Sequence, residues 1–146
     1  MRFRRVVVAV TGETVDDEAV GLGCLLARES QGKVHVLHVM EVKRTLPLDA
    51  AEPAQLERGE AILARARERA ERAAYPVDTE LLPGREVGPV LVYEAAERAA
   101  DVLIVGLDYK RQLGEPGAGE AAAYVLRHAP CRVWLCRGQM AGVERG

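Results

Sequence analysis

The 146-residue chain is predicted to fold as an α/β domain, with a five-stranded parallel sheet between two layers of helices. Three observations carry that prediction. Strand-like and helix-like segments alternate from end to end in the order βαβαβαβαβ, with no internal repeat. The runs VVVAV and VLIV are wholly apolar, as strands covered on both faces have to be. Each connection is long enough for a right-handed helical crossover, which parallel pairing requires.

The elements follow in order. Arg5–Val10 (RVVVAV) is the first strand. Asp16 and Asp17 offer an N-cap and first-turn negative charge for a helix of about fifteen residues, with apolar positions at Ala19, Val20, Gly23, Cys24, Leu26 and Ala27 and with Gly32 as its end. Lys33–Val42 is the second strand, and Lys43–Pro53 is a loop broken by two prolines. From about Pro53 to Ala74 runs the longest helix, with Leu56, Leu63, Ala66, Ala70 and Ala73 as its inner stripe. Its Glu/Arg-rich outer face, with Arg67–Glu71 and Glu68–Arg72 four apart, reads as a solvated surface because acids balance bases. Val77–Leu82 is the third strand, turned by Pro83-Gly84. A third helix spans about Gly88–Ala99, with Pro89 in its first turn. Val102–Val105 is the fourth strand and is followed by a glycine-rich loop, Gly106–Gly119. Glu120–His128 is the last helix, stopped before Pro130, and Arg132–Cys136 is the last strand. The domain is expected over residues 1–138, with 139–146 as a frayed tail.

Composition narrows the function. Apolar residues make up 49% and charged residues 29%, as in soluble globular proteins. The net charge of −2 lacks the basic excess of a nucleic-acid binder, and no apolar run is long enough to insert in a membrane. No targeting segment is recognisable, which points to the cytoplasm. The three cysteines form no CxxC pair, so neither a disulfide framework nor a zinc knuckle is expected. His35 and His38 lie three apart on a strand and face opposite sides, so no metal site is expected there. Ser30 is the only serine, no catalytic constellation is visible, and neither a GxGxxG nor a Walker loop is present.

In folds of this kind ligands lie beyond the carboxyl ends of the strands, which singles out Thr11–Val15 and Gly106–Gly119. The segment from Ala100 reads ADVLIVG, then twelve residues, then GEAAAYVLRHAPCRV. With VVVAV followed two residues on by Gly12, and with the HVLHV strand, it resembles the universal stress protein (UspA-like) family over about residues 4–137. The resemblance implies a Rossmann-like, adenine-nucleotide α-hydrolase-like fold. It also implies a homodimer formed through the last strand and a role in stress or signalling rather than catalysis. The segment around Trp134, with Val133 and Leu135, would suit that two-fold contact; packing of Trp134 against the last helix is the other reading.

Some members of the family bind ATP, through a loop Gly-x2-Gly-x9-Gly-Ser/Thr and an Asp ending the first strand. The glycines let backbone N–H groups approach the phosphates, and a helix N-terminus favours the anion. Aligned on that pattern, Gly106 and Gly119 match, Tyr109 replaces the second glycine, Glu120 replaces the hydroxyl residue, and Thr11 stands where the Asp would be. A carboxylate about 4 Å from a phosphate costs about 1 kcal/mol in a water-like medium and about 4 at intermediate dielectric, the latter about a thousandfold in affinity. Mg²⁺, Lys110 or Arg111 would offset part of this, whereas Glu115 adds to it. Glu120 equally suits the N-terminus of the last helix electrostatically. Tyr109 would block the backbone or fill the space of an adenosine. The expectation is therefore a non-catalytic regulatory module with degraded or absent ATP binding; the alternative is an ATP·Mg binder with an altered loop and slow ATPase activity. Leu46–Pro53 and Tyr109–Gly117 depart from common members and resemble a variant that accompanies some membrane transporters, which suggests a protein partner.

Overall fold

A computed structural model describes residues 1–140 and contains β1 (Arg5–Ala9), α1 (Val15–Arg28), β2 (Lys33–Glu41), α2 (Pro53–Arg72), β3 (Asp78–Gly84), α3 (Val87–Glu97), β4 (Val102–Leu107), α4 (Ala118–His128) and β5 (Arg132–Arg137). The strands form one parallel sheet in the order β3-β2-β1-β4-β5, as the alternation of elements predicts. β1 lies at its centre, with Val7 opposite His35 of β2 and Leu103 of β4.

The two-residue period of the strands divides the apolar side chains into two cores. Val6, Val8, Val34, Val36 and Ile104 pack against α1 and α2, chiefly Val20, Cys24, Leu63 and Ala66. Val7, Ala9, Leu37, Leu103 and Val105 pack against α3 and α4, chiefly Leu91, Ala95, Ala122 and Val125. Val6, Val7 and Val8 are all 0% exposed, which is why this stretch cannot alternate with polar residues. At the start of the sheet, the Asp101 carboxylate accepts the N–H groups of Arg4 (2.7 Å) and Arg5 (2.8 Å) and so aligns β1 with β4.

Several boundaries differ from the sequence reading. β3 runs on through Pro83 and Gly84, which stand opposite Met40 and Glu41, instead of turning there. β3 is an edge strand, and a proline without an N–H is tolerated on its open side. β4 extends to Leu107 and takes Gly106 into the strand. α4 begins two residues early, after Gly117, whose φ of 91° closes the loop and leaves Gly119 inside the first turn. α1 begins at Val15, and Asp16 does not cap it. Most of the 139–146 tail lies outside the described residues, although the Gln139 amide donates to Glu18 (3.2 Å). No helix among the described residues is long and apolar enough to cross a membrane.

Three helices end in the same way. Gln31 (φ 52°), Ala74 (φ 53°) and Ala99 (φ 50°) take left-handed backbone, and the next N–H in each case reaches back to the carbonyl of Ala27, Ala70 or Ala95. Glycine is the usual residue there. In α1 the glycine comes one place later, because a side chain at Gly32 would run into the Phe3 carbonyl. Relief of the left-handed penalty, about 1–2 kcal/mol, outweighs the added freedom of glycine in the unfolded chain, about 0.5–1 kcal/mol. Ala99→Gly is therefore expected to raise the urea midpoint by the equivalent of about 0.5 kcal/mol. Gly32→Ala is expected to lower it by about 2 kcal/mol or more.

Candidate functional site

The chain leaves β1 toward β2 on one side, and β4 joins it on the other. Crossovers of opposite direction part at this point and leave a crevice beyond the carboxyl ends of the strands. A cleft of about 280 Å³ opens there, walled by Ala9, Leu37, Val39 and Val105 of the sheet, Val87 and Leu91 of α3, and Ala118, Ala121 and Ala122 of α4. Thr11, Glu13, His38 and Glu41 supply its polar side chains. Its size lies near the lower end of the range for small-molecule sites.

Thr11, His38, Val39 and Glu41 also border a second recess, of about 500 Å³, between the end of β2 and helix α2. Gly12, Gln55, Arg58, Ile62 and Arg65 complete it. The His38 Nδ1 lies 2.8 Å from the Val10 carbonyl oxygen, an acceptor, so this nitrogen donates and Nε2 remains available. His35 turns to the other side of the sheet, with Asp78 3.8 Å away, so the two histidines do not meet.

The loop between β1 and α1 is held by Asp16. Its carboxylate accepts the N–H of Thr11 (3.0 Å) and of Gly12 (2.7 Å). Burial pushes the Asp16 carboxyl above its ordinary value of 3.8, against these two hydrogen bonds and the positive charges of His38 and Arg65. Farther out, Arg111 pairs with Glu13 (3.4 Å), and the Thr14 hydroxyl donates to Asp108 (3.3 Å). Both contacts clip this loop to the β4–α4 loop. The Thr11 hydroxyl is buried and has no hydrogen-bond partner.

The residues singled out by the sequence fall in different places. Thr11 and Gly106 wall the cleft, and Gly12 (φ 95°) lies in the second recess beneath Ile62. Tyr109 does not border either hollow; it is exposed, its ring lies 5.7 Å from the Arg137 guanidinium, and its carbonyl accepts from Arg137 (2.7 Å). Gly119 packs against the Gln112 carbonyl and accepts the Gly114 N–H (2.9 Å), which leaves no room for a side chain. Glu120 is exposed in the first turn of α4 and borders a small hollow with Glu41, Glu86 and Tyr124, just outside the cleft. On β5, Val133 joins the α3–α4 core and Leu135 is 37% exposed. Trp134 packs edge-on to Phe3 (5.6 Å) on the α1 side, so the alternative of a Trp134 buried against α4 is corrected: the strand period sends it to the other face.

Sequence reasoning passed over Asp16 as a loop brace and over Glu41, Arg58 and Arg65 as walls. The seven-residue spacing of Arg58 and Arg65 around Ile62 was the available signal, hidden within a charge-rich helix. Among the described residues no cluster of His, Cys, Asp and Glu could hold a metal ion. Burial raises the thiol pKa of Cys24, Cys131 and Cys136 alike, the opposite of an activated cysteine.

Two outcomes test this geometry. Thr11→Val removes a buried hydroxyl without a partner and should raise stability by about 1 kcal/mol in denaturant unfolding. Because the folded state raises the Asp16 pKa, ionising it weakens the fold; the loss sets in as pH rises above 3.8 and is complete above the raised value. NMR titration of the Asp16 carboxyl carbon should therefore give a value above 3.8, and the stability should fall across that window less steeply in Asp16→Asn.

The comparisons with known proteins agree with this architecture. The sequence model of the universal stress protein family matches residues 2–137. Universal stress protein MJ0531 of Methanocaldococcus jannaschii is 25% identical over 141 residues, 92% of this chain and 82% of that protein. Among solved structures, a universal stress protein in complex with cAMP superposes with a TM-score of 0.71 at 24% identity, over 93% of this chain and 98% of the other. The universal stress protein from Archaeoglobus fulgidus in complex with dAMP gives 0.73 at 20% identity, over 92% and 98%. Such structural likeness establishes the fold, and the family model, matched over nearly the whole chain, establishes kinship: the chain belongs to the universal stress protein family.

Proposed function

We propose that this domain is a non-catalytic regulatory module whose cleft takes an adenine nucleoside or its monophosphate, with binding of ATP at the glycine-rich loop degraded. The supporting observation is the charge around the N-terminal end of α4. Glu13 and Glu41 border the cleft there, and Glu86 and Glu120 stand just beyond it. The nearby arginines are engaged: Arg111 with Glu13, and Arg44 with Glu86 (3.1 Å). A triphosphate laid along this end would meet Glu41 and Glu120, which make no ion pair among the described residues, each opposing it by about 1–4 kcal/mol at about 4 Å; the paired Glu13 and Glu86 oppose it less. The apolar part of the cleft carries no such penalty. The nucleotides in the two related structures, cAMP and dAMP, each carry a single phosphate.

Calorimetric titration of nucleotide-stripped protein tests the reading. Adenosine and AMP should give measurable heats, and ATP with Mg²⁺ should bind at least tenfold more weakly than AMP. Tighter binding of ATP·Mg²⁺ than of AMP, or phosphate release above background, overturns it.

The same reading places a second copy of the chain on β5. This strand is the open edge of the sheet beside β4, and an uncovered apolar edge invites pairing. Val133 and Trp134 are partly committed to the chain's own cores, which leaves Leu135 and the backbone of the strand to form the contact. Leu135→Arg puts like charges across a two-fold axis and should shift the particle from dimer to monomer in light scattering. A monomeric wild type removes this part of the proposal.

A further inference from the structure

We propose that residues 141–146 (AGVERG) dock in the groove between α1 and α2, with Val143 against Leu22 and Leu25 and with Glu144 paired to Arg69. This groove shares no wall with the cleft, so the proposal does not depend on what the cleft binds.

The groove is a hollow of about 570 Å³. Glu18, Gly21, Leu22, Leu25 and Arg28 recur along α1 at helical spacing and form one wall, and Arg69, Arg72 and Ala73 form the other. Leu25 is 67% exposed there. The Arg69 guanidinium lies across Gly21, so close that a Cβ at that position would collide with it. Among the described residues this guanidinium makes no ion pair. Its neighbours are committed: Arg72 faces Asp17 (3.7 Å), and Arg28 donates to the Ala73 carbonyl and lies 5.4 Å from the centre of the Tyr75 ring. A cation fixed between two helices, beside an exposed leucine, suits a segment that carries an apolar side chain next to a carboxylate.

The chain delivers such a segment to this place. After β5 it reaches α1, where Gln139 lines the groove and its amide donates to Glu18 (3.2 Å). Val143 is the one large apolar residue of the six that follow Met140, Glu144 is their one acid, and the two are adjacent. An extended chain advances about 3.3 Å per residue, so Val143 reaches up to about 13 Å from Gln139. Leu25 lies about 10 Å from Glu18 along the axis of α1, within that reach. Successive side chains of an extended segment point to opposite sides, so Val143 can meet α1 while Glu144 meets the guanidinium that α2 supplies. The groove's own carboxylate, Glu18, stands where the chain arrives and accepts the Gln139 amide. Docked in this way, the segment covers a helical face and leaves the open edge of β5 free.

NMR spectroscopy of the isotope-labelled full chain tests the proposal. The wild type should show nuclear Overhauser contacts between the methyl groups of Val143 and Leu25, and the backbone heteronuclear NOE values of Val143 and Glu144 should match those of α1. Glu144→Arg, which touches no residue of either core, should abolish both signatures, as should Arg69→Glu. The charge swap Arg69→Glu/Glu144→Arg should restore them. Low heteronuclear NOE values at Val143 and Glu144 in the wild type overturn the proposal. So do Val143–Leu25 contacts that survive Glu144→Arg, or a charge swap that keeps the spectrum of the folded sheet and restores no contact. In an equal mixture of labelled and unlabelled chains, isotope-filtered contacts that cross between chains would put a second copy's segment in the groove and overturn it as well.

Discussion

Everything in this fold depends on β1 being hydrogen-bonded on both edges and covered on both faces. Only a run such as Val6-Val7-Val8 satisfies that condition, because each residue enters a different core from its neighbour and none reaches water. The same position makes β1 the strand at which the crossovers diverge. A cleft at its carboxyl end is therefore a by-product of the strand order and needs no dedicated scaffold. What the chain does choose is the chemistry of the loops that emerge there.

Those loops are arranged so that charge varies across the site. Asp16 occupies the backbone donors of the β1–α1 loop, and Glu13 and Arg111 neutralise each other where the two loops meet. Arg58 and Arg65 border the recess on the α2 side, Glu120 borders the hollow on the α4 side, and Glu41 borders both. The pliant glycines of the β4–α4 loop close on the protein itself: Gly119 is filled by the Gln112 carbonyl, and Gly117 sets the start of the helix.

The fold was largely legible because it rests on periodicity, and periodicity is local. VVVAV, VLIV and the alternation of elements place five parallel strands, and YVLRHAPCRV carries the kinship. The misplaced boundaries share a cause: each depends on a neighbour the sequence does not reveal. Pro83 reads as a turn until β3 is known to be an edge. Gly32 reads as the left-handed residue until the Phe3 carbonyl is seen against it. The site was less legible. Alignment along the chain identified Thr11 and Gly106, which do wall the cleft, but also Tyr109 and Glu120, which lie off it. Arg58 and Arg65 look like any solvated pair until β2 and Gly12 are placed beside them.

The left-handed residues Gln31, Ala74 and Ala99 all stand where a helix hands over to the next strand, at the edge of the sheet where the strands begin. The cleft lies at the other edge, where they end. The left-handed residues and the cleft thus occupy opposite poles of the molecule, with the full length of the strands between them. Changes that rigidify one pole have no direct contact with the other, so this chain can gain robustness without altering the loops around the cleft, and those loops can diversify over a scaffold whose reserves of stability lie elsewhere.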